Sequence, residues 1–131
     1  MKMIKECRVL EEDGKDLITM YWRFKMPLMN DRDNILRITR EDVEGGKQFV
    51  HCVTVERDDT PEIPGVQRMF TQLNGLLAPS AEYPDCLEYT EISYFDIKGS
   101  VPARLLNMVI ANMAKGEFMN IYESIKKKQK A

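Results

Sequence analysis

The sequence predicts an α+β domain in which an antiparallel sheet is followed by one long C-terminal helix. The helix is indicated by apolar residues at three- and four-residue spacing in the last fifth of the chain: Leu106, Ile110, Met113, Ala114, Phe118, Ile121 and Ile125. The sheet is indicated by several β-rich runs before that helix, the clearest of which alternates apolar and polar residues from Ile18 to Met26. Strands followed by a single helix favour a layered arrangement, because each element must bury its apolar side on another.

Six strands are predicted in chain order. Their approximate ranges are 3–11, 17–26, 34–41, 48–56, 66–73 and 86–97. Turns are expected at Gly14 and at Gly45-Gly46, and Pro27 ends the second strand. The run 48–56 is apolar on both faces, which is typical of a central strand. Two long loops are expected, over residues 57–65 and 74–85.

The predicted helix runs from about Pro102 to Lys127. Proline suits the first helical position, where its missing N–H costs nothing, so Ser100 or Val101 is expected to be the cap. Gly116 interrupts the run and costs about 0.5–1 kcal/mol relative to alanine, which predicts a bend or a weak point.

Length and composition predict one soluble domain over residues 1–131. The net charge of −2 and the pI near 5.5 argue against a nucleic-acid partner, since nucleic acids require a basic surface. Three cysteines without a C-x-x-C spacing favour reduced thiols and disfavour a zinc site. The sequence has no apolar run long enough to cross a membrane and no apolar region of a signal peptide near its start. A cytoplasmic location is therefore expected.

The inventory of catalytic groups is thin, and the sequence predicts no enzyme activity, no cofactor and no metal. His51 is the only histidine, and its neighbour Cys52 must point to the opposite face of a strand, which excludes a Cys–His pair. The chain has no glycine-rich phosphate loop, and its possible metal ligands do not cluster. The only set to consider for catalysis is His51, Arg68 and Glu91.

Nine methionines are a high count for this length. Thioether side chains adapt to variable shapes, so this count is typical of a deformable apolar lining and equally of an ordinary core.

Three stretches together resemble the START domains, the steroidogenic-acute-regulatory-related lipid-transfer domains of the helix-grip superfamily. These stretches are residues 21–33, 61–68 and 95–102, and they match the family in order and spacing. The resemblance implies a helix-grip fold, in which a curved antiparallel sheet packs on the long C-terminal helix. It covers only about the C-terminal two-thirds of such a domain, so the N-terminal part is expected to be absent. The missing strands would leave an unpaired sheet edge that favours self-association into a homo-oligomer.

The resemblance also implies a function, which is to bind and transfer a lipid or other apolar ligand in a cavity between sheet and helix. The expected ligand-binding residues are Met20, Trp22, Phe24, Leu36, Ile38, Arg68, Phe70 and Gln72 on the strands, with Leu106, Ile110 and Met113 on the helix. Arg68 is expected on the same face as Phe70. A guanidinium inside a lipid cavity needs a carboxylate or a polar headgroup, and Glu91 on the final strand is the candidate carboxylate. Arg32 and Asp33 are expected to form a structural ion pair at a strand entry.

The loop over residues 57–65 resembles the family's Ω-loop and is expected to act as a gate for ligand entry. Its gate residues are Pro61, Ile63, Pro64 and Gly65. Ile63 is expected to pack on the helix when the gate is shut, and the two prolines stiffen the loop into a flap.

The identity of the lipid is less specified. Family members that bind phosphatidylcholine hold the choline in an aromatic cage. Trp22 falls at one cage position, but Asn34 and Gln72 occupy the other two, so phosphatidylcholine is disfavoured. Sterol, fatty acid, ceramide and other phospholipids remain open, and each requires transient membrane contact for exchange. The alternatives are an enzyme of the same superfamily, a cyclase or hydrolase, and a truncated domain acting only as an interaction module.

Overall fold

A computed structural model describes residues 3–131, which form seven strands and one helix. The strands are β1 (Ile4–Asp13), β2 (Leu17–Phe24), β3 (Arg32–Val43), β4 (Lys47–Thr54), β5 (Gln67–Arg68), β6 (Phe70–Pro79) and β7 (Leu87–Asp96). The helix α1 runs over Ala103–Lys130. The sheet, with its loops through Lys98, forms one compact unit, and the segment Gly99–Ala131 forms a second. The predicted α+β class is confirmed.

The sheet is an antiparallel meander with the order β1-β2-β3-β4-β6-β7. The two-residue strand β5 pairs with the start of β3 in parallel, which the sequence did not predict. Strands β3 and β4 are central, and among the described residues β1 and β7 each pair on one side only. The turns at Gly14 and Gly45-Gly46 are confirmed, and all three glycines have positive φ.

Strand β6 corrects the predicted loop over residues 74–85. Asn74 and Gly75 were expected to begin that loop, but both belong to the strand, which continues to Pro79. Tyr89 of the neighbouring β7 lies over Gly75, and a Cβ atom there would sit 2.8 Å from the tyrosine ring. Gly75 is therefore a close-approach position inside a strand rather than a turn.

The helix prediction needs one correction at its N-terminus. Pro102 is the cap rather than the first helical residue, and its carbonyl accepts the first helical hydrogen bond from Leu106 N–H at 3.0 Å. No side chain caps this end, so neither Ser100 nor Val101 takes that role. The helix continues without interruption through Gly116.

Candidate binding site on the apolar face of the sheet

One face of the sheet carries a group of large apolar side chains. The register places Met20, Trp22, Phe24, Leu36 and Ile38 on it, because paired residues in neighbouring strands point to the same side. We call this the apolar face; it continues across β4 and β6 through Val50, Cys52, Leu73 and Leu77. The five residues of β2 and β3 are all half-buried.

Trp22 and Phe24 form the aromatic part of this face. Their rings stack with centroids 6.1 Å apart and an interplanar angle of 13°. The indole Nε1 atom of Trp22 is buried, and no residue of the described chain accepts a hydrogen bond from it. An indole nitrogen can only donate, so this atom is an uncompensated buried donor.

A buried polar triad interrupts the apolar face beside Trp22. Asn34, which pairs with Trp22 in the register, donates to Thr71 Oγ1 at 2.8 Å and accepts from Thr54 Oγ1 at 2.7 Å. Thr54 Oγ1 in turn accepts from the Thr71 backbone N–H at 2.8 Å. The triad therefore satisfies its own members and joins β3, β4 and β6. The sequence contained a signal for it, since Asn34 has the same strand parity as Leu36.

The opposite face carries a buried charge network around Asp33 and Arg68. Arg68 was expected in the ligand site instead. The Asp33 carboxylate accepts from Arg68 Nε at 2.7 Å and from the Tyr21 hydroxyl at 3.1 Å. Arg68 also donates to the Thr60 carbonyl at 3.3 Å and lies 3.3 Å from a Glu56 carboxylate oxygen. Burial, followed by the nearby Asp33 carboxylate, raises the pKa of Tyr21 to about 12.

The register divides the predicted ligand-binding residues between the two faces. Arg68 pairs with Asp33, and Gln72 pairs with Val53 and Tyr94, so Arg68, Phe70 and Gln72 lie opposite the apolar face. The expectation that all eight strand residues share one face is therefore wrong. Side chains alternate between the two faces along a strand, and the prediction assigned residues 68, 70 and 72 to the wrong one of the two alternating sets. Gln72 also does not share a face with Trp22 and Asn34, as an aromatic cage would require.

Two predicted ion pairs take different partners. Glu91 accepts from the Tyr89 hydroxyl at 2.7 Å and lies on the apolar side of the sheet, so it is not the partner of Arg68. Arg32 and Asp33 do not pair with each other, because adjacent strand residues point to opposite faces. The Arg32 guanidinium instead donates to the backbone carbonyls of Asn30, Ile97 and Lys98.

The catalytic set considered from the sequence does not converge. His51 Nδ1 lies 2.8 Å from Asn74 Oδ1 in a cross-strand pair, which makes it a hydrogen-bonded structural histidine. Arg68 is bound to Asp33, and Glu91 lies on the other side of the sheet from both His51 and Arg68.

Neither a metal-binding cluster nor a membrane-spanning helix is found among the described residues. Within residues 3–131 no three histidine, cysteine or carboxylate side chains come together as metal ligands. Cys7 and Cys86 are exposed free thiols, and Cys52 is buried. No helix in that range combines the length and the apolar character that a membrane crossing needs.

The predicted helix residues belong to the unit Gly99–Ala131, and the predicted gate residues belong to the sheet unit. On α1, Leu106 and Met113 are half-buried and Ile110 is 43% exposed. The gate residues Pro61, Ile63, Pro64 and Gly65 are all exposed. The base of their loop is anchored through Thr60, which is 5% exposed, and through Arg57, which pairs with Glu11 of β1 at 2.8 Å.

The fold is shared with solved lipid-transfer domains. Human StAR-related lipid transfer protein 5 superposes with a TM-score of 0.75 at 15% sequence identity, over 95% of this chain and 61% of that one. The lipid transfer and protein localization domain of human StarD13 gives a TM-score of 0.65 at 20% identity, over 79% of this chain and 53% of that one. A STAR-related lipid transfer protein fragment from Xanthomonas axonopodis gives 0.59 at 21% identity, over 84% and 60%.

The chain has the helix-grip fold of the START domains. The resemblance found in the sequence is thus confirmed at the level of the fold. The chain spans about half to three-fifths of the length of the solved structures it matches. No family model and no curated protein matches the sequence.

Proposed function

We propose that this domain binds a lipid or another apolar ligand on the apolar face of the sheet and transfers it without chemical change. One observation carries the proposal: five large side chains on that face, Met20, Trp22, Phe24, Leu36 and Ile38, are all only half-buried. Such a contiguous apolar surface is costly to leave in contact with water and is a common mark of a binding site. The fold shared with proteins named for lipid transfer supports the same function.

The rival function, a cyclase or hydrolase of the same superfamily, has less support. Such an enzyme needs polar groups that converge on the ligand. His51, Arg68 and Glu91 each have another partner and are divided between the two faces. Transfer without catalysis is therefore the function that we favour. Leu106, Ile110 and Met113 of the helix stay predicted ligand contacts.

The experiment compares the same substitution on the two faces. Leu36→Gln places an amide on the apolar face, whereas Leu76→Gln makes the same change at a half-buried leucine of the opposite face. Burying a leucine against a ligand contributes about 1.5–3 kcal/mol. We therefore expect Leu36→Gln to weaken lipid binding at least about tenfold, and Leu76→Gln to change it less than about twofold.

Binding is measured by titrating the fluorescence of Trp22, the sole tryptophan of the chain, with lipids found by native mass spectrometry of the purified protein. Equal effects of the two variants would argue against the apolar face as the site. A failure of all lipids to bind would leave the interaction-module alternative.

The proposal includes transient contact with a membrane, made through the loop that joins β2 to β3. Leu28 at the tip of this loop is 98% exposed and has φ of +60°, a conformation that leucine rarely adopts. An outlier of this kind points to a function for the loop, since a glycine or asparagine would fit the backbone at lower cost. Three cations surround the base of the loop: Lys5, Arg23 and Lys25. They outnumber the one anion of the loop, Asp31, which is bound to Lys5 and Arg23.

The gate loop has the opposite charge. Between Arg57 and Gly65 it carries Asp58, Asp59 and Glu62 against a single arginine, which disfavours contact with anionic lipid headgroups. We expect Leu28→Asp to reduce binding to phosphatidylserine-containing vesicles several-fold, whereas Ile63→Asp leaves vesicle binding unchanged and speeds release of a bound fluorescent lipid. Unchanged vesicle binding of Leu28→Asp would remove this loop from the proposal, and unchanged release by Ile63→Asp would remove the gate.

Self-association is proposed at the β7 edge of the sheet. Six of the ten residues of β1 are charged, which protects that edge, but only Glu88, Glu91 and Asp96 are charged in β7. Ile92 of β7 is 74% exposed. We expect sedimentation to detect a dimer that Ile92→Lys dissociates; a monomer at all concentrations would contradict this. A cytoplasmic location is also part of the proposal and is consistent with the exposed free thiols of Cys7 and Cys86.

A further inference from the structure

The buried indole N–H of Trp22 restricts the chemistry of the ligand. This donor is inaccessible to solvent and finds no acceptor in the described chain. Native proteins pair the great majority of such groups, and an exception calls for an explanation. A hydrogen bond to a ligand atom on the apolar face is one explanation, because Trp22 belongs to that face, between Met20 and Phe24 on β2.

The neighbouring polar residues do not supply the missing acceptor. Asn34 is the residue paired with Trp22, but its carbonyl oxygen already accepts from Thr54 and its amide donates to Thr71. Turning the Asn34 amide toward the indole would break both bonds. On the other side, Trp22 pairs with Cys7 of β1, whose sulfur is only a weak acceptor.

The charges near Trp22 indicate a neutral ligand group. A buried phosphate or carboxylate needs a cation with free donors. On the Trp22 side of the sheet, Arg32 has its donors directed at three backbone carbonyls, and Arg40 pairs with Asp16. Arg23 of the same strand points to the other face and binds Asp31. Among the described residues on this side of the sheet, both arginines are therefore already bound to other groups, whereas the indole N–H is an unused donor.

We propose that Trp22 Nε1 donates a hydrogen bond to an uncharged oxygen, a hydroxyl or a carbonyl, of an otherwise apolar ligand. The ligands of this domain are then neutral lipids with one such oxygen at the depth of Trp22, and fatty acid anions are disfavoured. This inference rests on the proposed function, because it names the class of lipid that the apolar face binds.

The test uses four ligands with one sixteen-carbon chain: hexadecane, 1-hexadecanol, methyl palmitate and palmitate, each delivered from cyclodextrin. Because the chain has one tryptophan, its ¹H–¹⁵N spectrum contains one indole signal, which reports directly on this donor. We expect the alcohol, the ester or both to move the indole proton downfield as a hydrogen bond forms. The alkane binds without this shift, and palmitate binds more weakly than its methyl ester. The ligand that causes the larger shift identifies the oxygen as hydroxyl or carbonyl.

A variant separates the hydrogen bond from simple hydrophobicity. Trp22→Phe removes the donor and keeps a ring, so the ratio of alcohol to alkane affinity falls about tenfold, the usual contribution of one hydrogen bond. Phe24→Leu, which changes the stacked ring but removes no donor, lowers both affinities and keeps their ratio. Both variants are measured by displacement of a fluorescent lipid.

The outcomes distinguish this inference from the function on which it rests. If the four ligands bind but none moves the indole signal, or if Trp22→Phe keeps the affinity ratio, the hydrogen bond is refuted and lipid binding stands. If palmitate binds as well as its ester, the preference for a neutral group is refuted. If none of the four ligands binds, the proposed function and the inference fail together.

Discussion

Removing Arg68 should destabilise the domain without changing its affinity for lipid. The sequence placed this residue in the ligand site, whereas the structure places it in an ion pair on the opposite face. The side chains of Arg68 and Asp33 are 5% and 1% exposed, and two nitrogens of the guanidinium donate to the carboxylate at 2.7 and 3.3 Å. Arg68→Met keeps most of the volume of the side chain but leaves the carboxylate with only the Tyr21 hydroxyl.

The expected loss follows from the uncompensated charge. Removing one member of a buried ion pair costs about 3–5 kcal/mol, a large fraction of the roughly 5–15 kcal/mol by which domains are stable. Tyr21→Phe removes one hydrogen bond from the same carboxylate and should cost about 1 kcal/mol. The double variant Asp33→Leu, Arg68→Met leaves no orphan charge and should therefore cost less than the sum of its single variants.

The assay is urea unfolding, read from the midpoint at constant slope, with lipid binding measured on the folded proteins in parallel. A loss below about 1 kcal/mol for Arg68→Met would refute the argument that this charge pair is buried and structural. A lipid affinity that falls more than about twofold in Arg68→Met would return Arg68 to the ligand site.

Two further predictions concern single positions of the fold. Gly75→Ala should destabilise the domain by about 1–3 kcal/mol, because the added Cβ overlaps the ring of Tyr89. Gly116→Ala meets nothing within 4 Å and should stabilise the helix by about 0.5–1 kcal/mol. Thermal unfolding measures both variants, and a stabilised Gly75→Ala would contradict the close approach of Tyr89. The raised pKa of Tyr21 should make stability depend on pH in the alkaline range. Folding favours the protonated phenol of Tyr21. The contribution of Tyr21 to the free energy of unfolding is therefore complete below pH 10, and about 2–3 kcal/mol of it is lost as the pH rises towards 12. Tyr21→Phe should lack this loss, and an equal alkaline slope in that variant would assign the effect to another group.

The order of the elements was predictable because their signals are local. Period-two alternation in β2, the glycine turns and the long apolar periodicity of the helix each depend on neighbours in the chain, and each gave the correct element. The continuation of β6 was missed because Gly75 is explained only by the ring of Tyr89, which approaches from another strand. A glycine needed for a long-range contact looks the same in sequence as a glycine needed for a turn.

The candidate site was predictable only within β2 and β3, which follow each other in the chain and pair directly. Met20, Trp22 and Phe24 share a face by simple alternation, and Leu36 and Ile38 follow from pairing with β2. After the loop over residues 57–65, the local sequence does not determine which side chains of the next strand point to which face. The short strand Gln67–Arg68 and the break before Phe70 determine this orientation instead.

The alternation along β3 explains how a buried charge network and the apolar face are formed by residues that are neighbours in the chain. Asp33 points to one side and binds Arg68, while Asn34 points to the other and organises neutral hydroxyls beside Trp22. A slip of one residue in the pairing of β3 would exchange these sides and place an unpaired carboxylate on the apolar face. Such a slip costs far more than the ion pair contributes to net stability, because the native pair barely repays its desolvation. On this argument the main contribution of Asp33 and Arg68 is to exclude the wrong register, which in turn keeps an unpaired carboxylate off the face around Trp22.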